Sequence, residues 1–507
     1  MYSTRSRKSI DWPIIIVVVV IMLFGVANIY SVDSYYGVQQ LIRIGLAAII
    51  VLGLIAVTSV SRNFFDNNAP LFYLAGVLSL IGVLIFGKEI NGAKAWYSIG
   101  GVGVQPVELM KISLTIMLAN ILNRPSADIR QPKVLLICYT LLAVPAFLIM
   151  LQPDLGSLVV FGAFLLAMYR EGMNPFFLIL PVILGSIFLA ALFTDTAPLL
   201  VGFGVLIWVI ISLAILIFST RYFSVRDMYT LIGLYLGLAL FFLVYVLFST
   251  WLYHTSSLHS ILIERTDILL TITALGMGIF SMLSALVVYL AYRRYVSSSG
   301  SFASIRSGNL QQALLSGAGI VAIMLIISAI TWRADDLFEK LPQHQQDRIM
   351  VLFEGEAKYR DTSGYNLLYS KTAIGSGEFW GAGWNQGTVT DGRFVPEQWT
   401  DYIFCTVGEE WGFVGSVTLI LLYAFLISRI YYLAERQKTT FSRVVGYSVG
   451  SILLLHFFIN IGMVLGLFPT VGIPLPFLSY GGSSLWGFTV LVFIFLKLNY
   501  ENNESLV

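Results

Sequence analysis

The chain has 507 residues, of which 57% are hydrophobic and 11% charged. A soluble domain carries about 25% charge, so composition excludes a soluble enzyme and points to an all-α polytopic integral membrane protein. The net charge of +2 is too small to argue for nucleic acid as a partner.

Apolar runs near bilayer length recur at 13–31, 38–60, 70–87, 104–123, 133–151, 155–170, 176–195, 198–218, 229–251, 267–292, 312–332, 400–428, 444–467 and 480–499. They predict about fourteen transmembrane helices. No β-barrel alternation is present, so the backbone must satisfy itself as helices. The first run lacks a small-residue cleavage pattern and is expected to be a retained helix. Arg5, Arg7, Lys8, Arg62, Arg124, Arg130, Arg221, Arg226, Arg293, Arg294, Arg306, Arg429, Arg436, Lys438 and Arg443 all fall on one side of such a bundle. The positive-inside rule makes that side the cytoplasm. Both termini are then cytoplasmic, and the connections near 88–103, 152–154, 252–266, 333–399 and 468–479 lie outside.

Polar residues interrupt the apolar pattern at several places. Arg43 is charged within the second run. Lys94 and Trp96 stand in the first outer loop, followed by Gln105, Glu108 and Lys111. Glu108 and Lys111, three apart, share a helix face. They form either a self-neutralising pair or a charged notch lining a groove. Gln152, Pro153, Asp154 and Gly156 make a short polar turn, either a plain hairpin or part of a site. Of the two cysteines, Cys138 and Cys405, each lies in an apolar run and reads as a small buried hydrophobe.

The 333–399 connection is about 65 residues long, a length typical of functional or disordered segments. Tyr365, Phe379, Trp380, Trp384, Phe394 and Trp399 argue against disorder, so an ordered cap over the helix bundle is expected. Arg348 and Lys371 belong to it. Its end runs Glu397 and Asp401, then Glu409 and Glu410, into an apolar helix. An ionisable group there costs roughly 2.5–3.5 kcal/mol on insertion scales and is a functional hypothesis by default. Thr400-Asp401 could equally be a helix N-terminus, where such residues cap. Cys405, Gly408 and Glu409 fall on roughly the face of Asp401, with Glu410 opposite. His456 and Asn460, one turn apart, are expected to hydrogen-bond each other. Pro474, Pro476, Gly481 and Gly482 predict a sharp re-entrant turn, in which Ser479, Ser483 and Ser484 could offer hydroxyls to a substrate.

The stretches NGAKAWYSIGGVGVQPVELMKISL, LQPDLGS, GYNLLYSKTAIGSGEFWGAG, FVPEQWTDYIFCTVGEEWGFVG and INIGMVLGLFPTVGIPLPFLSYGGSS, in this order, resemble the SEDS family of shape, elongation, division and sporulation proteins. The wording is closer to elongation-type, RodA-like members than to division-type, FtsW-like ones. The resemblance implies a peptidoglycan glycosyltransferase of the cytoplasmic membrane that polymerises lipid II on the outer face. A division polymerase and a lipid-linked precursor transporter are the alternatives. It also implies a class B penicillin-binding protein and other elongation-complex membrane proteins as partners.

The family's essential aspartate maps onto Asp401, with Glu397 close enough to assist. The family's lipid-substrate cavity maps onto Gln105, Glu108 and Lys111. Arg43, Lys94, Trp96, Asp154, Arg348, Lys371, Ser479 and Ser483 complete the expected substrate-binding set. A divalent cation, Mg or Mn, could help to neutralise the pyrophosphate; no organic cofactor is expected. Three departures stand out. Trp399 replaces the family's usual histidine before Thr400-Asp401. The stretch FEGEAKYRD replaces an aspartate-proline motif of the loop. The family usually has ten helices, whereas about four more fit here. The chain then divides into N-terminal helices with the groove (1–197), an insertion of unknown role (198–310), and C-terminal helices with the catalytic loop (311–507).

Overall fold

The structure, a computed structural model, describes residues 10–56, 61–90, 93–99, 102–175, 177–178, 338–360 and 363–504. The helices expected between 179 and 337, and with them the count of fourteen and the 198–310 insertion, lie outside these residues. The described elements are α1 (Trp12–Val32), α2 (Ser34–Ala56), α3 (Arg62–Phe86), β1 (Lys88–Ile90), β2 (Ala93–Ile99), β3 (Val102–Val104), α4 (Pro106–Leu122) and α5 (Pro132–Met150). There follow α6 (Leu155–Val160), α7 (Ala163–Arg170), α8 (Gln343–Glu354), α9 (Ser363–Ser376), α10 (Thr388–Asp391), α11 (Ile403–Glu435), α12 (Thr440–Val464) and α13 (Ser483–Glu504).

Among the described residues, 7 helices are long and apolar enough to cross a membrane: α1, α2, α3, α5, α11, α12 and α13. The chain is therefore a multi-pass membrane protein. Helix α12 occupies the middle, packed on α4, α7, α11 and α13. Helix α4 is short, but most of it is buried, including Glu108, Lys111, Ser113 and Thr115. Helices α2, α3 and α5 lie outside this core and turn Leu52, Leu71, Leu78, Ile85, Leu136 and Phe147 outward, as a hydrocarbon solvent allows. The span expected over 155–170 is instead two helices. Turns with i→i+3 hydrogen bonds at Phe161 and Gly162 interrupt it.

The connections sort to two ends. At one end lie the segments around 123–131, 171–175 and 436–439, where ion pairs join Arg443 to Glu171 at 2.7 Å and Arg429 to Asp11 at 2.7 Å. At the other end lie the strands, the 151–154 turn, α8 to α10 and the irregular segment 465–482. The strands form a small antiparallel sheet in the order β1-β2-β3, an addition to an otherwise helical chain. Tyr97 of β2 pins it to α3 by donating to the Ser79 carbonyl at 2.9 Å.

Helix α11 is two helices in one. Gly412, at φ 62°, breaks it after a buried first stretch that contains Glu409 and Glu410. A break buried among helices exposes backbone groups that need partners. The glycine-rich loop after α9 supplies them. Ala382 and Gly383 donate to the carbonyls of Glu409 and Glu410 at 2.9 and 3.0 Å, while Phe413 and Val414 donate to those of Glu378 and Phe379 at 2.9 and 3.2 Å. The backbones approach so closely that a Cβ at Gly381 or Gly412 would overlap main-chain atoms of the other segment.

Candidate active site

Helix α11 starts only at Ile403, and its cap residue is Tyr402. Asp401 is therefore not a capping residue. The turn before it is set by Glu397, in the left-handed region at φ 56°, whose carbonyl accepts from the Thr400 amide at 3.1 Å. Two interactions join this turn to the re-entrant segment. The Tyr480 amide donates to the Trp399 carbonyl at 2.8 Å. The Asn460 side chain donates to the carbonyls of Asp401 and Ile473 at 2.8 and 2.6 Å. Trp399, the family-atypical residue, stacks on Tyr36 with ring centroids 4.7 Å apart.

The prolines of the re-entrant segment bring no N–H, and side chains of the bundle hold its carbonyls. His456 donates to Pro474, Tyr423 to Pro476, and Gln40 to Ser479 at 3.1 Å. The expected pairing of His456 with Asn460 does not form, because each is drawn to a different carbonyl of this segment.

Arg43, Trp96, Gln105, Glu108, Asp154, Arg348, Glu397, Asp401 and Ser483 come together around one cavity of about 370 Å³. Separate parts of the chain contribute: α2, β2, the start of α4, the 151–154 turn, α8, the segment before α11 and the segment leading into α13. Ser484 also lines it. So do Gln345, Tyr480 and His456, which sequence reasoning did not place in a site. A faint signal existed for Gln345, three residues before Arg348 on a polar helix. It donates to the Pro153 carbonyl at 3.1 Å and fastens α8 across the cavity.

Four expected substrate ligands lie elsewhere. Lys94 reaches back to the Ile85 carbonyl at 3.1 Å. Lys371 pairs with Glu356 at 3.2 Å on the cap. Ser479 is buried and accepts from the Leu475 amide at 2.8 Å. Lys111 lies beneath the cavity wall, 2.8 Å from Glu108 and 3.1 Å from the Nε2 of His456. An ammonium can only donate, so Nε2 accepts and His456 is neutral, with its proton on Nδ1 toward Pro474. Glu108 and Lys111 are thus a buried pair of which only the carboxylate reaches the cavity.

Glu409 does not share a working face with Asp401. It accepts from the amides of Val389 and Thr390 at 2.7 and 2.9 Å and from the Thr390 hydroxyl at 2.7 Å, anchoring α10. Glu410 accepts from the Ser31 hydroxyl of α1. Both are anchors of the cap. Asp154 lines the cavity but is also committed, accepting from Ser157 and from Gln105 at 3.1 Å.

Glu397 is exposed and accepts from the Thr400 hydroxyl at 3.3 Å, which leaves Asp401 as the carboxylate suited to proton transfer. Burial, and next the charge of Glu397, push its pKa up to about 7, while the Arg348 guanidinium opposes the rise. A carboxylate in that range is matched to general-base work at neutral pH. Arg43 packs over the Tyr480 ring at 3.9 Å from its centroid and, with Arg348, presents positive charge to the cavity. Among the described residues no group of three or more His, Cys, Asp or Glu side chains could hold a metal ion.

A helical membrane bundle whose one capped end holds a cavity lined by a carboxylate of raised pKa and two guanidinium groups defines a polytopic membrane protein with a site suited to proton transfer beside negative charge. The chain belongs to the FtsW/RodA/SpoVE family of cell cycle proteins, whose profile matches residues 11–199 and 278–504. It is 26% identical to the peptidoglycan glycosyltransferase RodA of Treponema pallidum, over 98% of each chain. It is 24% identical to the peptidoglycan glycosyltransferase MrdB of Escherichia coli K12, over 95% of this chain and 90% of that one. The fold is shared with the Rod shape determining protein RodA of Thermus thermophilus, with a TM-score of 0.51, 19% identity, and 97% and 98% of the two chains covered. It is shared also with a chain from a study of how a peptidoglycan synthase complex coordinates polymerization and crosslinking, with a TM-score of 0.57, 20% identity and the same coverage.

Proposed function

We propose that this protein is a peptidoglycan glycosyltransferase that polymerises lipid II on the outer face of the cytoplasmic membrane for cell elongation. The observation that carries the reading is Asp401, partly buried in a cavity that also presents Arg43 and Arg348. Chain growth needs a sugar hydroxyl, a weak nucleophile, to attack an anomeric carbon that bears a pyrophosphate. Asp401 accepts the hydroxyl proton as the new C–O bond forms. The bond from the anomeric carbon to the pyrophosphate oxygen breaks, and lipid pyrophosphate leaves with the electron pair. The leaving group needs its charge met more than it needs a proton, and fixed guanidinium groups do this. A base within hydrogen-bond reach is worth roughly 10²–10⁴-fold.

The kinship with RodA-type glycosyltransferases supports the reading. The likeness to a chain from a peptidoglycan synthase complex supports a crosslinking penicillin-binding protein of class B as partner. Asp401→Asn tests the assignment, because the amide is nearly isosteric but cannot accept the proton. Purified wild-type protein should polymerise purified lipid II, and the Asn variant should fold and yield no glycan strands. Strands of ordinary length and yield from the variant would remove Asp401 from the chemistry.

A further inference from the structure

Asn460 lies on α12, buried below the cavity. It is fully enclosed, and both of its hydrogen bonds run from one amide nitrogen to main-chain carbonyls of two chain segments remote in sequence, Asp401 at 2.8 Å and Ile473 at 2.6 Å. Its own oxygen has no hydrogen-bond partner. An unpaired buried acceptor costs about 1–3 kcal/mol. Turning the amide over would be worse, since it would set its oxygen against two other oxygens. The side chain is thus held in the one orientation that spans the two segments.

What it spans decides where the Asp401 carboxylate sits. Gly472, adjacent to Ile473, is in the left-handed region at φ 65°, and a Cβ there would lie 3.2 Å from the Asp401 Oδ2. The carboxylate therefore rests over the bare backbone of Gly472, and Asn460 ties together the main chains on both sides of that contact. Without the tie, the Asp401 turn and the re-entrant segment remain joined nearby by the Tyr480–Trp399 hydrogen bond, two residues before the carboxylate.

We infer that Asn460 is a positioning residue for the glycosyl transfer: it clips Asp401 to the re-entrant segment and fixes the carboxylate over Gly472. This rests on the proposed function, in which Asp401 is the base. The clip acts on the base and leaves the cations that meet the phosphates untouched. Loss of it should therefore lower turnover without weakening substrate binding. Misplacement of a reacting group by about 1 Å can cost roughly 10²-fold.

The test is steady-state polymerisation of lipid II by full-length wild type, Asn460→Ala, Gly472→Ala and the double variant at matched amounts of folded protein. Asn460→Ala should lower kcat roughly 10²-fold with KM within about twofold. Gly472→Ala, which crowds the same carboxylate, should do likewise, and the double variant should lose little more than either single one, as residues acting through one group do. Asn460→Ser keeps one donor in a smaller side chain and covers a failure of the alanine variant to fold; its kcat should lie between wild type and the full loss, with KM unchanged. Unaltered kcat, a loss confined to KM, or losses that multiply in the double variant would each overturn the clip. Wild-type protein that makes no glycan would instead overturn the glycosyltransferase reading itself.

Discussion

Asp401 and Lys111 both carry charge near the cavity, and their surroundings give them opposite tasks. As the proposed general base, Asp401 must lose its proton before it can act. Burial and the charge of Glu397 raise its pKa to about 7, and Arg348 lowers it. The base is therefore largely protonated below that value, and the polymerisation rate should climb as pH rises through about 7. Glu397→Gln removes a neighbouring negative charge and should move the midpoint to lower pH. Arg348→Ala should move it to higher pH. A pH–rate profile of the three proteins checks the signs, and an unmoved midpoint in both variants would contradict this electrostatic picture. Lys111, by contrast, is sealed between Glu108 and His456. Lys111→Ala strands a buried carboxylate, a change worth about 3–5 kcal/mol of destabilisation. It should lower the melting temperature in detergent before any question of substrate arises. A variant as stable as wild type but weak in lipid II binding would return Lys111 to the substrate.

At the scale of elements, the cap is held by a backbone-to-backbone joint. The loop 378–383 completes the hydrogen bonds that the Gly412 break leaves open in α11. Gly381→Ala must overlap main-chain atoms and adopt φ 84°, and strain of that kind alone costs about 1–3 kcal/mol. The expected outcome is a lower melting temperature and faster proteolysis within 378–400. Unchanged proteolysis would mean that the joint can give. The same joint shows where sequence reading succeeds and where it stops. Apolar runs placed α1, α3, α5, α12 and α13 because a bilayer demands long unbroken helices. The aromatics of 365–399 mark an ordered cap. Periodicity says nothing about which carbonyls a glycine loop will meet. In the sequence Glu409 and Glu410 therefore look like working groups, although they anchor α10 and α1. Likewise the one-turn spacing of His456 and Asn460 suggests a pair, while each donates instead to main-chain carbonyls that carry no sequence signature.

For the whole molecule, the two ends of the described helices differ in charge, and that difference predicts which side of the membrane each faces. Arg62, Arg124, Arg130, Arg170, Arg436, Lys438 and Arg443 gather at the end opposite the cavity, near the starts of α3 and α12 and the ends of α4, α7 and α11. The cavity end carries the sheet, the cap and the re-entrant segment. Short connections rich in Lys and Arg stay in the cytoplasm, so the expected orientation, as the proposed function requires, has the cavity open on the outer face. Cysteine accessibility can check this without prior removal of the native thiols, since Cys138 and Cys405 are both buried. Gln386 is exposed on the cap and Ser126 is exposed in the 123–131 connection. In intact cells a membrane-impermeant maleimide should label Gln386→Cys and spare Ser126→Cys, and permeabilised cells should show both. Labelling of Ser126→Cys alone in intact cells would place the cavity in the cytoplasm. No extracytoplasmic polymerase could then be built on Asp401, however well its geometry suits the chemistry.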